Sequence, residues 1–197
     1  TGGNSALGKI ISQHLISKGN TVYGTSRSTP LPKIGGVHFI KLDITSDAET
    51  KNAISRIMKK EKRIDVIINN AGITLTGPTL EFSVEDFKNI LDTNLIGLFR
   101  LLKTIFSFSN KPKLIINITS LNGFLSLPNF GLYCASKFAM EGLGLALRYE
   151  LAPSTKVVNV TPGALFMKSA RKLPHKPARE KFPLINWIMP LTSPEDV

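Results

Sequence analysis

Short apolar runs alternate along the chain with longer stretches that have helical spacing. The apolar runs are rich in valine and isoleucine, and most end at glycine, asparagine or a hydroxyl residue. Because they are almost continuously apolar, they predict strands covered on both faces, as in a parallel sheet. The predicted strands are NTVYGTS (20–26), GVHFIKLD (36–43), IDVIINNAG (64–72), KLIINITS (113–120) and KVVNVTPG (156–163).

Helical segments separate most of these strands. Apolar residues three and four positions apart predict helices at about 5–18, 46–61, 83–108 and 134–151. Strands that alternate with helices in this way favour an α/β fold, in which a doubly wound parallel sheet lies between two layers of helices. The 197 residues fit one domain.

The residues that follow the predicted strands are polar or rich in glycine. They read TSR, LD, NNAG, NITS and TPG. In an open parallel sheet, ligands bind beyond the carboxyl ends of the strands. The sequence therefore predicts one cleft lined by these groups.

The chain opens with TGGNSALG, a glycine-rich turn that leads into the first predicted helix. Gly2, Gly3 and Gly8 allow backbone N–H groups to approach an anion, and a helix N-terminus favours negative charge. The turn therefore predicts a phosphate site, with an ordinary loop as the alternative. In a sheet of this type such a turn follows a central strand, so we expect a strand before Thr1. The final SPEDV is typical of a helix start, so we also expect further chain after it.

Tyr133 and Lys137 are four positions apart and therefore share one face of a predicted helix. The hydroxyl of Ser120, just after a predicted strand, can reach the same place. A tyrosine titrates near pH ~10, and an ammonium ~4 Å away supplies about enough energy to bring that pKa towards neutrality. The three groups predict acid–base chemistry, with the serine hydrogen-bonded to a substrate oxygen. An ordinary amphipathic helix is the alternative.

Composition narrows the choice of partners. The net charge is +11, but the basic residues are scattered, as in IMKKEKR and KSARKLPHKPAREK, which is typical of a solvated surface rather than a nucleic-acid groove. One cysteine and three histidines without ligand spacing predict neither a disulfide nor a metal site. No charge-free apolar run approaches the ~20 residues of a membrane-spanning helix, which predicts a soluble protein. The lone Cys134 predicts a reduced, cytoplasmic setting.

Seven motifs occur in order along the chain: TGGNSALG, LDIT, NNAG, LDTNLIG, ITS, YCASK and TPG. With them the chain resembles the short-chain dehydrogenases/reductases, in the branch with one Rossmann domain and a YxxxK motif. The resemblance covers essentially the whole chain and implies a Rossmann fold without its first strand and its C-terminal part. The stretch YCASKFAMEGL looks most like the steroid- and retinol-type members, and bacterial oxoacyl reductases look similar.

The resemblance implies a catalytic role for four residues. Tyr133 would be the acid and base, Lys137 would lower its pKa and hold the nicotinamide ribose, and Ser120 would orient the substrate carbonyl. Asn94 would keep a water in the proton relay to Lys137. In addition to Tyr133 and Lys137, the residues expected at the dinucleotide cofactor are Gly2, Asn4, Ser5, Leu7, Gly8, Ser26, Arg27, Asp43, Ile44, Asn70, Ala71, Gly72, Pro162 and Gly163.

Within that set, the resemblance makes Asp43 the adenine contact. Residues 70–72 would form a turn that supports the cofactor, and residues 162–163 a turn on the nicotinamide side. Two positions depart from the family pattern. Ala6 replaces a usual glycine and leaves less room. Met167 stands where a threonine often bonds the nicotinamide amide, which puts that contact in question.

The loop GTSRSTPLPK indicates which dinucleotide is bound. An acid after the second strand favours NAD, whereas an arginine there favours the 2′-phosphate of NADP. This loop has no acid and contains Arg27 between Ser26 and Ser28. The sequence predicts NADP rather than NAD, with a surface arginine as the alternative.

Residues at about 164–191 correspond to the substrate lid of family members and include the charge-free FPLINWIMPL. Together with LNGFLSLPNFGL near Tyr133, this segment predicts a lipophilic substrate of steroid, retinoid or acyl type. Packing against the core or a partner subunit is the alternative, and the basic stretch before Trp187 could contact an anionic membrane or an acyl carrier. Family members usually pair through the helices at 83–108 and 134–151, which implies a homodimer or homotetramer.

Three functions are open on the sequence. The first is an NADP-dependent oxidoreductase that interconverts a carbonyl and a secondary alcohol on a lipophilic substrate. The second is a binding protein that senses NADP without catalysis, although such a protein needs no set of four catalytic residues. The third is a reductase of 3-oxoacyl thioesters.

Overall fold

The computed structural model describes residues 1–163 and 171–172 and has an α/β architecture with parallel strands. The helices are α1 (Ala6–Ser17), α2 (Asp47–Glu61), α3 (Val84–Leu91), α4 (Gly97–Ile105) and α5 (Gly131–Glu150). The strands are β1 (Val22–Ser26), β2 (Val37–Lys41), β3 (Val66–Asn69), β4 (Leu75–Thr76), β5 (Leu114–Ile118), β6 (Lys156–Val160) and β7 (Arg171–Lys172). All five predicted strands are present, and α1, α2 and α5 begin and end within three residues of the predicted bounds.

The strands pair in parallel, which confirms the predicted fold class. β1 pairs with β2, and β5 lies between β3 and β6. The opening turn connects the two sheets, because the Gly3 N–H donates to the Thr25 carbonyl of β1 at 3.0 Å and the Thr1 nitrogen donates to the Ile68 carbonyl of β3 at 2.6 Å. The short β4–β7 pair was not predicted, since two residues carry no detectable periodicity.

Serine caps start three of the helices. Ser5 Oγ accepts from the N–H of Gly8 in α1, and Ser46 caps α2 in the same way. Ser83 and Asp86 form a reciprocal capping box at α3. These side chains satisfy N–H groups that have no partner within a helix, which fixes where each helix begins.

The predicted helix at 83–108 consists of three pieces. α3 leads into a π-helical turn at Asp92–Ile96, which leads into α4. The Gly97 N–H donates to the Asp92 carbonyl, five residues earlier, as in a π-helix. Arg100 of α4 bonds to the Ile44 carbonyl at 2.7 Å, to Asp92 at 3.1 Å and to Asp47. Arg100 thus ties the loop after β2 to the π-helical turn.

The main core lies between the sheets and the helices α2, α4 and α5. A smaller core of Leu75, Ile90 and Leu132 packs beside Tyr133. Within the described part of the chain, no helix combines the length and apolar character that crossing a membrane requires. The same residues contain no group of three or more His, Cys, Asp or Glu that could hold a metal ion.

Candidate active site

Asn70 holds the opening turn in place. Its Nδ2 donates to the carbonyls of Thr1 and Gly2 and to Ser5 Oγ, each at 3.1 Å. The Thr1 hydroxyl oxygen accepts from the backbone N–H groups of Asn70 at 3.1 Å and Ala71 at 2.9 Å. Asn70 and Ala71 therefore shape the turn from the protein side.

The turn is too tight for side chains at its three glycines. Gly2 has a φ of +64°, which favours glycine. A Cβ on Gly8 would lie 2.3 Å from the Gly2 carbonyl oxygen. Ser5 takes the N–H of Gly8, while the N–H groups of Ala6 and Leu7 in the first helical turn have no acceptor within the helix. This arrangement suits a phosphate group.

Ser26 and Arg27 follow β1 beside the opening turn. Ser26 is buried and accepts from the Ser28 N–H at 3.1 Å, whereas Arg27 is exposed. The Asp43 carboxylate, after β2, accepts from the N–H of Thr45 at 3.0 Å and from its hydroxyl at 2.7 Å. Burial opposes ionisation of Asp43, but these bonds and the charge of Arg27 prevail and lower its pKa. A carboxylate and a guanidinium thus lie near each other at this edge.

Tyr133 has two hydroxyl residues as neighbours at the start of α5. The side chains of Ser120, which follows β5, and Thr74 lie near it and lower the pKa of its phenol. Ser120 Oγ accepts from the Asn122 N–H at 3.2 Å, which fixes its position. Burial raises the pKa of Tyr133 by more than these two neighbours lower it. The phenol is therefore protonated at neutral pH.

Lys137 lies one helical turn after Tyr133. Its Nζ donates to the Ile118 carbonyl at 3.0 Å, lies 3.7 Å from Met140 Sδ and is 5.8 Å from the centre of the Tyr133 ring. The residue is 6% exposed. Burial lowers the pKa of Lys137 to about 8, although Glu141 acts in the opposite direction.

The expected effect of Lys137 on the pKa of Tyr133 stays a prediction. In the structure the pKa of Tyr133 is raised. The reason is burial, which acts on both groups and which the spacing of the two residues does not show. Because Lys137 loses its proton near pH 8, it is neutral over the range in which Tyr133 titrates and does not favour the tyrosinate there.

Asn94 joins the π-helical turn to the helix that carries Lys137. It is 1% exposed, and its amide bonds to the Ile73 N–H at 2.8 Å and the Ile73 carbonyl at 3.0 Å. Its Nδ2 also donates to Ser136 Oγ at 3.0 Å. Gly72 lies against this amide, since a Cβ there would be 3.2 Å from Asn94 Oδ1.

The remaining expected residues lie around these groups. The Pro162 carbonyl accepts from the Leu121 N–H at 3.2 Å, which brings the turn at Pro162 and Gly163 beside Ser120. Asn4 is exposed. The side chains of Leu7 and Ile44 are buried and do not join the polar groups of the site.

Several expectations fall outside the described residues. They concern Met167, the SPEDV segment and the lid at 164–191, of which only residues 171–172 are described.

A row of three asparagines was not predicted. Asn69, Asn117 and Asn159 lie side by side in the register of β3, β5 and β6. Asn69 donates to Asn117 at 2.9 Å, and Asn117 donates to Asn159 at 2.9 Å. Asn159 donates to Glu141 Oε2 at 2.6 Å. The signal is visible in the sequence, because each strand places one asparagine directly after two β-branched residues (IIN, IIN and VVN).

The sequence is similar to known oxidoreductases. The sequence model of the family described as short chain dehydrogenase matches residues 1–177. A 3-ketodihydrosphingosine reductase of Bacteroides thetaiotaomicron is 39% identical over 167 residues, which are 83% of this chain and 61% of that protein. A 3-oxoacyl-[acyl-carrier-protein] reductase, FabG, of Buchnera aphidicola is 33% identical over 175 residues, 84% of this chain and 71% of that protein. The chain thus spans about three fifths of the length of the first of these relatives.

The fold is also similar to solved structures. The structure of ElxO with NADP bound matches 100% of this chain and 85% of its own, with a TM-score of 0.82 and 26% sequence identity.

Proposed function

This chain belongs to the short chain dehydrogenase family, and we propose that it is an NADP-dependent oxidoreductase that interconverts a carbonyl and a secondary alcohol on a lipophilic substrate. One observation carries the proposal. The side chains of Ser120 and Tyr133 lie near each other after the carboxyl end of β5, with Lys137 one helical turn away. Open parallel sheets bind their ligands at this edge.

Tyr133 suits the role of proton donor in carbonyl reduction. Its phenol is protonated at neutral pH, so it can transfer the proton to the substrate oxygen as negative charge develops there. Ser120 would hydrogen-bond the same oxygen. Lys137, with a pKa of about 8, is mostly charged at neutral pH and would stabilise the tyrosinate that this transfer leaves. The hydride that reduces the carbonyl carbon is the chemistry that NADPH supplies when bound.

The residues present fit a dinucleotide with an extra phosphate. The tight turn at Gly2 and Gly8 leads into α1, whose first N–H groups would bind the pyrophosphate. The exposed Arg27 would bind the 2′-phosphate, in a loop without acids. The similar ElxO was solved with NADP bound. These points favour NADP over NAD.

Exposed apolar side chains favour a lipophilic substrate. Phe124 and Leu125, 60% and 40% exposed, follow the turn after Ser120. The name of the Bacteroides relative specifies a 3-keto compound, and that of the Buchnera relative specifies a 3-oxoacyl group. We therefore propose a ketone with a long apolar substituent as the substrate, and a 3-oxoacyl thioester as the second candidate.

The test is the oxidation of NADPH and NADH by the purified protein, followed at 340 nm with long-chain, steroidal, retinoid and acyl-thioester carbonyl compounds. Tyr133→Phe is assayed beside it. We expect turnover with NADPH and a loss of at least ~100-fold in kcat for the variant, because the proton donor is missing. Binding of NADPH to both proteins shows that the variant keeps its cofactor site.

Other results would contradict parts of the proposal. Turnover with acyl-carrier-protein conjugates alone would select the 3-oxoacyl reductase. A preference for NADH would contradict the role given to Arg27. Binding of NADPH without turnover of any compound would favour a binding protein that senses the cofactor.

A further inference from the structure

The asparagine row ends at a buried carboxylate on α5. Glu141 is 5% exposed, and its Oε2 accepts from Asn159 at 2.6 Å. Its Oε1 accepts from the Thr161 hydroxyl at 3.4 Å. Among the ion pairs of the described residues, none includes Glu141. A charge buried without a paired cation is costly, so its position calls for a function.

Three parts of the candidate site meet at Glu141. Lys137 precedes it by one helical turn and shares its face of α5. Thr161 directly follows β6 and precedes the turn expected on the nicotinamide side. Gly123, in the turn after Ser120, packs so closely that a Cβ there would lie 2.9 Å from Glu141 Cγ. Glu141 therefore contacts Gly123, in the turn after Ser120, and Thr161, which precedes the turn at Pro162. It also lies one helical turn from Lys137.

We propose that Glu141 is a positioning residue, whose buried carboxylate keeps Lys137 in the ammonium form and holds the end of β6 against α5. The inference rests on the proposed function, which gives Lys137 its catalytic role. An anion one turn away favours the charged form of a buried lysine. In agreement, Glu141 raises the pKa of Lys137, while burial lowers it to about 8.

The asparagine row explains how the carboxylate is held without a second cation. Asn117 bonds Asn159 from one side, which directs the Asn159 amide N–H towards Glu141. A neutral donor stabilises the carboxylate but does not cancel its charge. The negative charge of Glu141 can therefore still stabilise the charged form of Lys137.

Few other charged groups in the described residues face Lys137. Tyr133 lies on its own helix, and β5 presents the Ile118 carbonyl. β4, β6 and the turn at Leu121–Gly123 contain no acid. The acids of the other elements packed against α5 bond elsewhere: Asp92 with Arg100, Glu85 with Lys88, and Asp86 with Ser83.

The test replaces the charge and keeps the shape. Glu141→Gln retains an oxygen for Asn159 but removes the negative charge. Because the charged lysine exists below its pKa, kcat/KM for carbonyl reduction falls as the pH rises through that pKa. We expect the fall to begin about one pH unit lower in Glu141→Gln. The titration of Lys137, followed by NMR of ¹³C-lysine-labelled protein and assigned with Lys137→Arg, should shift in the same direction.

Two variants serve as controls. Glu150→Gln makes the same change at an exposed acid of α5 and should leave the profile of the wild type. Glu141→Asp keeps the charge but places it farther from Lys137, so it should shift the profile downward by less than Glu141→Gln does. If Glu141→Gln does not fold, this smaller downward shift in Glu141→Asp, compared with the wild type, is the test.

An unchanged profile and an unchanged Lys137 titration in Glu141→Gln would overturn the inference, even if the rate fell, because only packing would then be lost. If the wild type turns over no carbonyl compound, the proposed function fails. The NMR titration then still decides whether Glu141 controls the charge of Lys137.

Discussion

Lys137 and Tyr133 lose their protons in the reverse of their ordinary order. A free lysine titrates slightly above a free tyrosine. In the structure the pKa of Lys137 falls to about 8 and that of Tyr133 rises, both because of burial. At neutral pH the lysine is still mostly charged and the phenol is protonated. That is the pair of protonation states that reduction of a carbonyl requires.

The lowered pKa of Lys137 predicts a cost in stability. A shift from 10.5 to about 8 disfavours the charged folded state by about 3 kcal/mol at pH 7. Loss of the bond to Ile118 offsets about 1 kcal/mol of this. We expect Lys137→Met to raise the free energy of unfolding by about 2 kcal/mol at pH 7, measured by urea denaturation, while abolishing activity.

The pH dependence of that gain has a definite sign. The unfolded lysine binds a proton up to its ordinary pKa of 10.5, whereas the folded one releases it near 8. Between these values the unfolded state holds more protons, so the stability of the wild type rises with pH. The advantage of Lys137→Met should therefore shrink between pH 8 and pH 10. If Lys137→Met raised the free energy of unfolding equally at pH 8 and at pH 10, the lowered pKa assigned to Lys137 would be contradicted.

At the scale of the elements, α5 packs closely against the sheet at Gly144. A Cβ there would lie 2.2 Å from Asn159 Oδ1. We expect Gly144→Ala to lower the free energy of unfolding by about 1–3 kcal/mol, although alanine favours helices over glycine. Urea denaturation would measure the change.

A double-mutant comparison identifies the cause of the Gly144 effect. In Asn159→Ala the obstructing oxygen is absent, so the penalty for Gly144→Ala should fall. The same penalty in both backgrounds would show that the amide is not the obstacle.

The strands and helix ends could be predicted because their signals are local. Apolar runs predicted β1 to β3, β5 and β6, and apolar spacing predicted α1, α2 and α5. The π-helical turn could not be predicted, since apolar spacing in a π-turn differs little from that in an α-helix over five residues. The asparagine row depends on the register between strands distant in sequence, which no single segment shows.

At the scale of the candidate site, sequence reasoning predicted which residues lie together but not their electrostatics. The spacing of Tyr133 and Lys137 placed them on one face, and the strand end placed Ser120 nearby. Their pKa values depend on burial, which the whole fold determines. The contribution of Glu141 was missed for the same reason, because its neighbours come from β6 and from the turn at Gly123.

At the scale of the whole molecule, α5 carries an exposed apolar stripe. Phe138, Leu145 and Tyr149 are spaced seven and four residues apart on one face, and are 44%, 43% and 80% exposed. Ile96 and Phe99, 45% and 50% exposed, add apolar surface at the start of α4. This surface supports the proposal of a homodimer or homotetramer.

Sedimentation velocity can test whether this apolar stripe on α5 holds an oligomer together. We expect Phe138→Glu with Leu145→Glu to convert the oligomer to a monomer, because two carboxylates would be buried without partners at the contact. The exposed pair Glu85→Gln and Lys88→Gln serves as a control on another helix surface. A monomeric wild type, or an unchanged oligomer in the double variant, would contradict this assignment.

The π-helical turn at Asp92–Ile96 has a consequence for the spacing of the chain. Each helical residue adds about 100° of rotation, and a π-turn holds one residue more than an α-turn. That extra residue sets the angle at which α4 follows α3, and with it the directions of Asn94 and Arg100. Deleting one residue here, such as Thr93, would rotate α4 by a quarter turn or more. Asn94 and Arg100 would both still be present, but their side chains would point in other directions. The length of this segment is therefore constrained as strictly as the identity of Asn94, and it should tolerate substitutions far better than single-residue insertions or deletions.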